Sequence, residues 1–442
     1  MSSSPQYNPN SPPYVPGLSP PYSDEYVPGL SPPYSGEYVP GLSPPYSGDL
    51  TTKPVKGRDI KYPSVYGISS EIDSALTFRL NTDMSISNAI RRTILSDIPV
   101  VAIDTQKCTI ETNQCGGGQH NEYLKHRLDC IPVIVSPEDM PDFVKDYYLS
   151  VDVSNDTGNV NHITTEDFKL VPKTDRPRKV FTTDDVFPPY KHKWYIEFAH
   201  LKPVLKETRT LKLTSDFKIS TAKENAAYNA VYKCTASFTV DKNAATDEWK
   251  KREEDMKSAG KSEAEIALIK ANFWALDAQR IYIPNSFDFE IRSLGMYRDR
   301  ELVKHACAIL ENKLSDAPAK FRAGTQYSVK LGLQEAVQVS NDGDNQTFII
   351  HMGDEDYTLG KVIEYILYEY YYFVDEPEIR FCAFKKMHPH DSYGVLQVSL
   401  VTRPDMNDTM NRERIQEILE GVCKIGVKLF SHIGDNFGRA VR

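Results

Sequence analysis

The sequence offers few groups of residues that could do chemistry. It contains no G-x-S-x-G nucleophile motif, no P-loop, no HExxH metal motif and no glycine fingerprint for a dinucleotide. One Cys/His cluster is present, and its spacing matches no standard zinc module: Cys108, Cys115, Cys130, His120 and His126. The Gly116–Gly118 triplet is a weak phosphate cradle, because no Lys-Ser/Thr follows it.

Two short polar segments near the C-terminus could bind a cation. His388 and His390 supply two imidazoles with Asp391 beside them, and the alternative is a turn that packs its histidines. Asp354, Glu355 and Asp356 could hold a hard cation through their carboxylates. The alternative for the acidic segment is a helix N-terminus, where acidic residues are favoured by capping and by the helix dipole. The sequence favours the structural interpretation in both places.

Two adjacent arginines, Arg91 and Arg92, are the remaining candidates. They lie in the stretch 76–99, which predicts a strand, a turn and a helix that stops at Pro99. The strand alternates apolar and polar residues, and the helix repeats apolar residues every three or four positions. The arginines are therefore either a solvated helix face or a binding surface.

The composition excludes several classes of protein. A formal net charge of -9 argues against binding nucleic acid by bulk electrostatics. Seven cysteines without a C-x-x-C pair fit neither a disulfide framework nor a zinc ribbon, and indicate buried thiols in a reducing compartment. No apolar run reaches the roughly 20 residues that span a bilayer. We therefore expect an intracellular protein that does not engage a membrane.

Residues 1–58 differ from the rest of the chain. They hold 14 of the 29 prolines, and YVPGLSPPYS repeats every twelve residues from Tyr14, Tyr26 and Tyr38. This composition predicts a disordered Pro/Ser/Tyr repeat tail. A passive spacer, a short-motif ligand and a phosphorylation array all remain open as its role.

The remaining chain has two halves of similar plan. The strand-helix pattern of 76–99 recurs at 348–370, and a further strand-helix unit covers 287–314. Residues 134–284 predict an inserted β-rich module that includes one long charged helix, 247–276. Residues 315–324 predict a domain linker.

A closing helix is predicted from about Asn407 to Ile433. Gly421 and Gly426 lie within it, and their small size would allow another element to approach closely.

The N-terminal half resembles the RNA polymerase assembly subunits. This family includes the bacterial α subunit, the archaeal D subunit and the third-largest subunit of eukaryotic polymerase II. The resemblance rests on SISNAIRRTILSDIPVVAID, EYLKHRLDCIPV, LKETRTLKLTSDFKISTAKENAAYNAV and FDFEIRSLGMYRDRELVKHACAILENKL, within residues 70–316. In the family, a helix with N-A-x-R-R precedes a strand and a helix that ends in H-R-L-x-x-I-P.

The C-terminal half, residues 325–435, resembles the smaller partner, the archaeal L subunit or the eleventh subunit of polymerase II. MGDEDYTLGKVIEYIL and IRFCAFKKMHPH carry this resemblance. The two partners are normally separate chains in cellular organisms. Their fusion resembles the transcription machinery of large cytoplasmic DNA viruses of eukaryotes.

The resemblance implies an α+β fold in which two α-subunit-like dimerisation halves form an intramolecular pseudo-heterodimer. The implied domains are the tail at 1–58, a D-like domain at 59–133 and 285–316, an insert at 134–284 and an L-like domain at 317–442. Some family members carry a cysteine-rich zinc or iron-sulfur site in the insert, and it has no counterpart here, because Cys234 alone lies between Cys130 and Cys307. We therefore predict no metal in this chain.

The implied function is a non-catalytic platform on which the large catalytic polymerase subunits assemble. The subunit would have no catalytic residues or cofactor, with Mg in the catalytic subunit of the complex. Its partners would be the largest, second-largest and small subunits, with DNA reached only through the complex. It would reside in virion and host cytoplasm if viral, and otherwise in the nucleus. The alternative is a free-standing scaffold that recruits partners through the Pro-rich tail.

The resemblance also implies interface residues. Arg91 and Arg92 match the helix arginines that face the second-largest subunit, and Asn88 matches the asparagine before them. The full predicted set of subunit-interface residues is Asn88, Arg91, Arg92, His126, Arg127, Asp354, Asp356, Thr358, Leu359, His388 and His390.

Overall fold

The computed structural model describes residues 59–69, 75–174, 176–190, 193–203, 207–323, 327–331, 347–401 and 408–438. All of them belong to the unit Thr51–Arg442. The predicted repeat tail at 1–58 lies outside the described residues.

The strands are β1 (Ser64–Ser69), β2 (Leu76–Asn81), β3 (Pro99–Asn113), β4 (Tyr147–Asn155), β5 (Asn161–Thr164), β6 (Phe168–Pro172), β7 (Glu197–Leu201), β8 (Arg209–Thr221), β9 (Val231–Val240), β10 (Tyr282–Ser293), β11 (Tyr327–Leu331), β12 (Thr347–Gly353), β13 (Ile379–Lys385) and β14 (Tyr393–Leu400). The helices are α1 (Met84–Ser96), α2 (Asn121–Asp129), α3 (Met140–Asp146), α4 (Thr183–Val186), α5 (Lys242–Ser258), α6 (Glu263–Ala275), α7 (Asp299–Ala323), α8 (Tyr357–Leu367) and α9 (Asp408–Gly438).

The first sheet is antiparallel and has the order β1-β2-β10-β9. Strand β2 buries alternate residues, as its period-two pattern predicted. Helix α1 follows at once, because the Asp83 side chain accepts a hydrogen bond from the Ser85 amide at 2.7 Å and caps the first turn. The apolar stripe of α1 is buried, with Ile86, Ile90 and Ile94 fully covered.

The second sheet repeats this plan with the order β11-β12-β14-β13, again antiparallel. Helix α8 packs on it and buries Leu359, Val362 and Ile366. Gly360 on the helix and Gly394 on β14 both lie against the Phe384 ring, which leaves no room for a Cβ atom at either position.

The two sheets share one hydrophobic core. Helix α7 packs along α9, and α1 packs against α8. A Cβ atom on Gly426 of α9 would lie 2.7 Å from Leu314 Cδ1 of α7, and one on Gly421 would overlap the Tyr371 hydroxyl. The prediction that these glycines permit close approach is confirmed. At the far end of α9, Phe437 meets Phe78 of β2 edge-to-face at 4.8 Å.

Residues 99–221 contain the strands of two further sheets. The sheet β3-β8-β4-β6 is antiparallel, and β5 and β7 form a two-stranded ribbon. Two strands pair differently from what the predicted insert boundaries imply. Strand β3 lies before the predicted insert but joins the insert sheet, and β9 lies within the predicted insert but pairs with β10 in the first sheet. Strand pairing is a long-range choice that an alternating pattern does not encode, which explains both differences.

The structure corrects one linker prediction and one helix prediction. The predicted linker at 315–324 is helical through Ala323, because Ala317 and Phe321 are buried and hold the chain in α7 despite Pro318. The single helix predicted at 247–276 is two helices, α5 and α6. Gly260 adopts a left-handed φ of 74° after α5, and Ser262 starts α6 with a capping box.

The Phe384 contact yields a stability prediction. We expect Gly394→Ala to lower the free energy of unfolding by about 1–3 kcal/mol, because its Cβ would lie 2.2 Å from Phe384 Cζ. Chemical denaturation measures this difference. Gly158→Ala is the matched control, since no heavy atom lies within 4 Å of its added Cβ. Equal stability of both variants would contradict this packing.

Candidate functional site

The N-terminus of α8 is the point at which predicted site residues from both halves meet. Asp356 caps the helix, and its Oδ1 accepts a hydrogen bond from the Thr358 amide at 2.8 Å. Arg92 of α1 donates from Nη2 to Asp356 Oδ2 at 2.5 Å and from Nε to Thr358 Oγ1 at 2.8 Å. Leu359, the next residue, is fully buried. One guanidinium therefore joins α1 to the first turn of α8.

The electrostatics of this junction favour the ion pair. Partial burial by itself would raise the pKa of the Asp356 carboxyl group. Hydrogen bonds from Thr358 and the charge of Arg92 outweigh that effect and lower the pKa below its usual range. Asp356 therefore caps the helix as a charged carboxylate. Of the two alternatives for the acidic segment, the structure agrees with the helix cap and not with the cation site. Asp354 has an exposed side chain and a left-handed φ of 60°, and its amide donates to the Ser392 carbonyl at 2.7 Å.

Arg91 has a different environment from its neighbour. Asn88 Oδ1 accepts hydrogen bonds from Arg91 Nε at 3.1 Å and from Nη2 at 2.7 Å. This fork fixes the guanidinium on its own helix, and the side chain stays partly exposed. The sequence predicted one shared role for the two arginines. The structure divides them into an internal contact at Arg92 and an oriented surface cation at Arg91.

The other predicted site residues lie elsewhere. Arg127 of α2 donates to the Glu197 carbonyl at 2.5 Å and to the Tyr123 hydroxyl at 3.1 Å, which ties α2 to β7, while His126 beside it is exposed. Across the described residues, no hydrogen bond or ion pair links these side chains to Arg92.

His388 and His390 occupy the turn between β13 and β14. Their rings are 5.1 Å apart, and the His390 amide donates to His388 Nδ1 at 3.2 Å. Both side chains are exposed, so the prediction of a turn that packs its histidines was wrong. Within the described part of the chain, no three His, Cys, Asp or Glu side chains are grouped so as to hold a metal ion.

The cysteines give no sign of nucleophilic chemistry. Burial raises the pKa of Cys115 to about 11 and also raises that of Cys108, which keeps both thiols protonated at neutral pH. Five of the seven cysteines are buried, as predicted, whereas Cys130 is exposed. No helix among the described residues is long and apolar enough to cross a membrane.

Sequence reasoning missed two polar contacts of the core. Lys313 of α7 pairs at 2.9 Å with Asp97, which ends α1. Arg414 of α9 is buried and donates to the carbonyls of Glu378 and Val401 at 3.3 Å each. Asp97 is a polar residue directly after a helix, and this position could have indicated a polar contact from the sequence. Nothing in the sequence around Arg414 marked it as buried.

The junction can be tested by a double-mutant cycle. We expect Arg92→Ala and Asp356→Asn to show a coupling of about 0.5–1 kcal/mol in the free energy of unfolding at pH 7. The folded-state pKa of Asp356 is lowered, so this stabilisation is present above the unfolded pKa of about 3.9 and is lost as pH falls through the folded value. Asp354→Asn is the control and should leave stability nearly unchanged. A coupling of zero at pH 7 would argue against the ion pair.

Comparison with known proteins identifies the family of residues 78–314. The sequence profile of the RNA polymerase Rpb3/Rpb11 dimerisation domain matches residues 78–314, more than half of the chain. The chain is similar to DNA-directed RNA polymerase II subunit RPB3 of Schizosaccharomyces pombe (strain 972 / ATCC 24843), at 36% identity over 72 residues. This match covers 16% of the chain and 22% of that relative's length. The matched residues include α1, β10 and most of β2 and α7, and the chain therefore belongs to the RNA polymerase Rpb3/Rpb11 dimerisation domain family.

Proposed function

We propose that this chain is a non-catalytic assembly subunit of a multisubunit DNA-directed RNA polymerase. The observation that carries the proposal is the junction of two like halves in a chain of the Rpb3/Rpb11 family. Each half has a four-stranded antiparallel sheet and two helices, and the halves share one core. The platform would bind the large catalytic subunits and the small subunits, and would contribute to nucleotidyl transfer only by assembling them.

In this proposal the two halves are an intramolecular pseudo-heterodimer, a fusion of an Rpb3-like and an Rpb11-like part. Three contacts between the halves support this view: Leu314 on Gly426, Phe78 on Phe437 and Arg92 on Asp356. Fusion would fix the stoichiometry of the halves and raise their effective concentration to about the millimolar range. Such a fusion suits a large cytoplasmic DNA virus, with the protein in the virion and host cytoplasm.

Arg91 is the residue we assign to the second-largest subunit. Its guanidinium is oriented by Asn88 and is partly exposed, whereas Arg92 is engaged inside the chain. Exposed His126, His388 and His390 are further candidates for subunit contacts. We propose no resident metal or cofactor for this chain, and place the Mg of the reaction in the catalytic subunit of the complex.

Co-purification tests the proposal. A tagged full-length chain should retain both large polymerase subunits, and Arg91→Glu should reduce capture of the second-largest subunit at least about tenfold, because reversing a close charge contact costs more than about 1.4 kcal/mol. The unfolding midpoint should stay within a few degrees, since Arg91 bonds within its own helix.

Arg176→Glu is the matched control, because it makes the same charge change at an exposed position of the insert. Wild-type chain that emerges without the large subunits would overturn the polymerase function and favour a free-standing scaffold. Full capture by Arg91→Glu would overturn only the assignment of Arg91.

A further inference from the structure

A turn of three glycines between β3 and α2 is not explained by the assembly function. We define the glycine turn as Gly116–Gly118. Its residues have left-handed φ angles of 70°, 62° and 88°. The Gln119 amide donates to the Gly116 carbonyl at 3.2 Å and closes the turn. Positive φ at both central residues is the type I′ pattern, which favours glycine. The backbone conformation therefore accounts for the residue type at these positions.

Both ends of the glycine turn are fixed to neighbouring strands. Before it, the Gln114 amide donates to the Thr210 carbonyl at 3.1 Å, and the Thr210 amide donates back to Gln114 Oε1 at 2.8 Å. Cys115, the next residue, is fully buried. After the turn, the His200 amide donates to Oε1 of the buried Gln119 side chain at 3.1 Å. Strands β7 and β8 therefore hold the turn in place.

Two cations from a distant part of the chain lie against the glycine turn. A Cβ atom on Gly117 would lie 2.9 Å from Lys202 Nζ, and one on Gly116 would lie 3.4 Å from Arg209 Nη1. The Cβ position of Gly116 is also 3.9 Å from Lys202 Cδ. The two cationic side chains therefore converge on one turn.

The backbone that carries these cations is held by one buried side chain, Asn155, which is 2% exposed. Asn155 lies opposite Arg209 in the pairing of β4 with β8. Its Nδ2 donates to the carbonyls of Leu201 and Lys202 at 3.3 Å each. The supports of both cations are thus set before any ligand binds, which lowers the entropy that binding costs.

No carboxylate of the described chain neutralises the two cations by contact. Lys202 and Arg209 form no ion pair and no side-chain hydrogen bond with any described residue. Glu207 lies two residues before Arg209 and Asp156 directly follows Asn155, yet neither carboxylate comes within 4.0 Å of a nitrogen of either cation. Two like charges on one turn repel each other, and an anion bound between them would relieve this repulsion.

The backbone of the glycine turn offers hydrogen-bond donors as well. The amides of Gly117 and Gly118 donate to no acceptor among the described residues. Successive free amides in a turn make a concave anion site. With two cations beside them, these donors match a phosphate monoester, which carries about −1.5 to −2 charge and three acceptor oxygens. A carboxylate has one charge and two oxygens and would use fewer of them.

The cations do not continue as a row along β8. Lys212, the next basic residue of this strand, is paired with Glu111 at 2.7 Å. A nucleic-acid backbone is bound through a series of such contacts, because each phosphodiester carries one charge. The net charge of -9 on the chain opposes such binding as well. The arrangement therefore suits a single phosphate group.

We infer that the glycine turn, Lys202 and Arg209 bind one phosphate dianion, either free phosphate or the monoester of a phosphorylated side chain. A P-loop takes its lysine from the residues that directly follow its glycines. Here the cations come instead from β8 and from the segment after β7. The site does not depend on the proposed assembly function.

A ³¹P NMR titration of the full-length chain tests this inference with two probes, inorganic phosphate and the peptide Gly-Gly-phosphoserine-Gly-Gly. At about pH 8, where both probes are dianions, and about 50 mM salt, we expect saturable binding with Kd below about 10 mM. Lys202→Gln and Arg209→Gln should each weaken it about tenfold, since each removes a charge-assisted hydrogen bond. Tighter binding of the peptide would identify a phosphorylated partner as the source, and equal affinity would identify free phosphate.

Two controls separate the site from general effects of charge and of backbone strain. Lys169→Gln removes an exposed lysine from β6 of the same sheet and should leave the affinity unchanged. Gly117→Ala should weaken binding more than Gly118→Ala. Both positions have left-handed φ, but only the Cβ atom on Gly117 would meet Lys202, whereas the one on Gly118 has no heavy atom within 4 Å.

The side chain of Lys202 is exposed, so Lys202→Gln should leave thermal unfolding unchanged. Absence of saturable binding by the wild-type chain would overturn the inference, and so would equal affinity of the Lys202→Gln, Arg209→Gln and Lys169→Gln variants. Tighter binding of a ten-nucleotide oligo(dT) without a terminal phosphate than of either probe would also overturn it, and would assign the cations to a nucleic-acid backbone.

Discussion

Helices α7 and α9 bury apolar side chains against each other along most of their length, and the rest of the fold is arranged around this contact. Each helix also packs within its own half, so the contact is shared by both sheets. Burial of apolar surface contributes about 25 cal/mol per Å², so a long apolar helix pair stabilises the contact between the halves. Gly426 and Gly434 bring the helices close enough for Leu314 and Cys307 to pack on the backbone of α9.

Burial of apolar surface does not fix the relative orientation of the packed helices. Polar contacts at the edges of this core fix that orientation. Arg92 bonds to the capping residue of α8, and Lys313 bonds to the residue that ends α1. Both contacts lie at helix ends: Asp356 places a negative charge at the N-terminus of α8, and Lys313 brings a positive charge to the C-terminus of α1, as the helix dipole favours. They set the register of α1 against α7 and α8. Arg91, one residue along, is thereby held on a partly exposed face of α1.

The insert depends on the same core but presents different chemistry. Its sheet takes β3 directly from the end of α1, so the orientation of the insert is tied to the central helices. Strand β7 of the insert accepts a hydrogen bond from Arg127 of α2 at the Glu197 carbonyl, which is a second tie between the insert and the rest of the chain.

The sequence by itself determined the local elements of both halves. The alternation in β2, the apolar stripes of α1 and α8 and the capping role of Asp356 follow from residue types within a few positions, because side-chain periodicity and helix capping are local. The family resemblance implied that the paired arginines lie on a surface for assembly, which stays a prediction. Local chemistry could not say which of the two would be used within the chain.

Only the tertiary structure decided the long-range choices. It assigned Arg92 to Asp356, 264 residues away, moved β3 and β9 across the predicted insert boundary and kept α7 helical through Ala323. In each case the deciding energy is a contact with a distant segment, through burial, strand pairing or a charge pair. The periodicity of residues along the chain carries no information about such contacts.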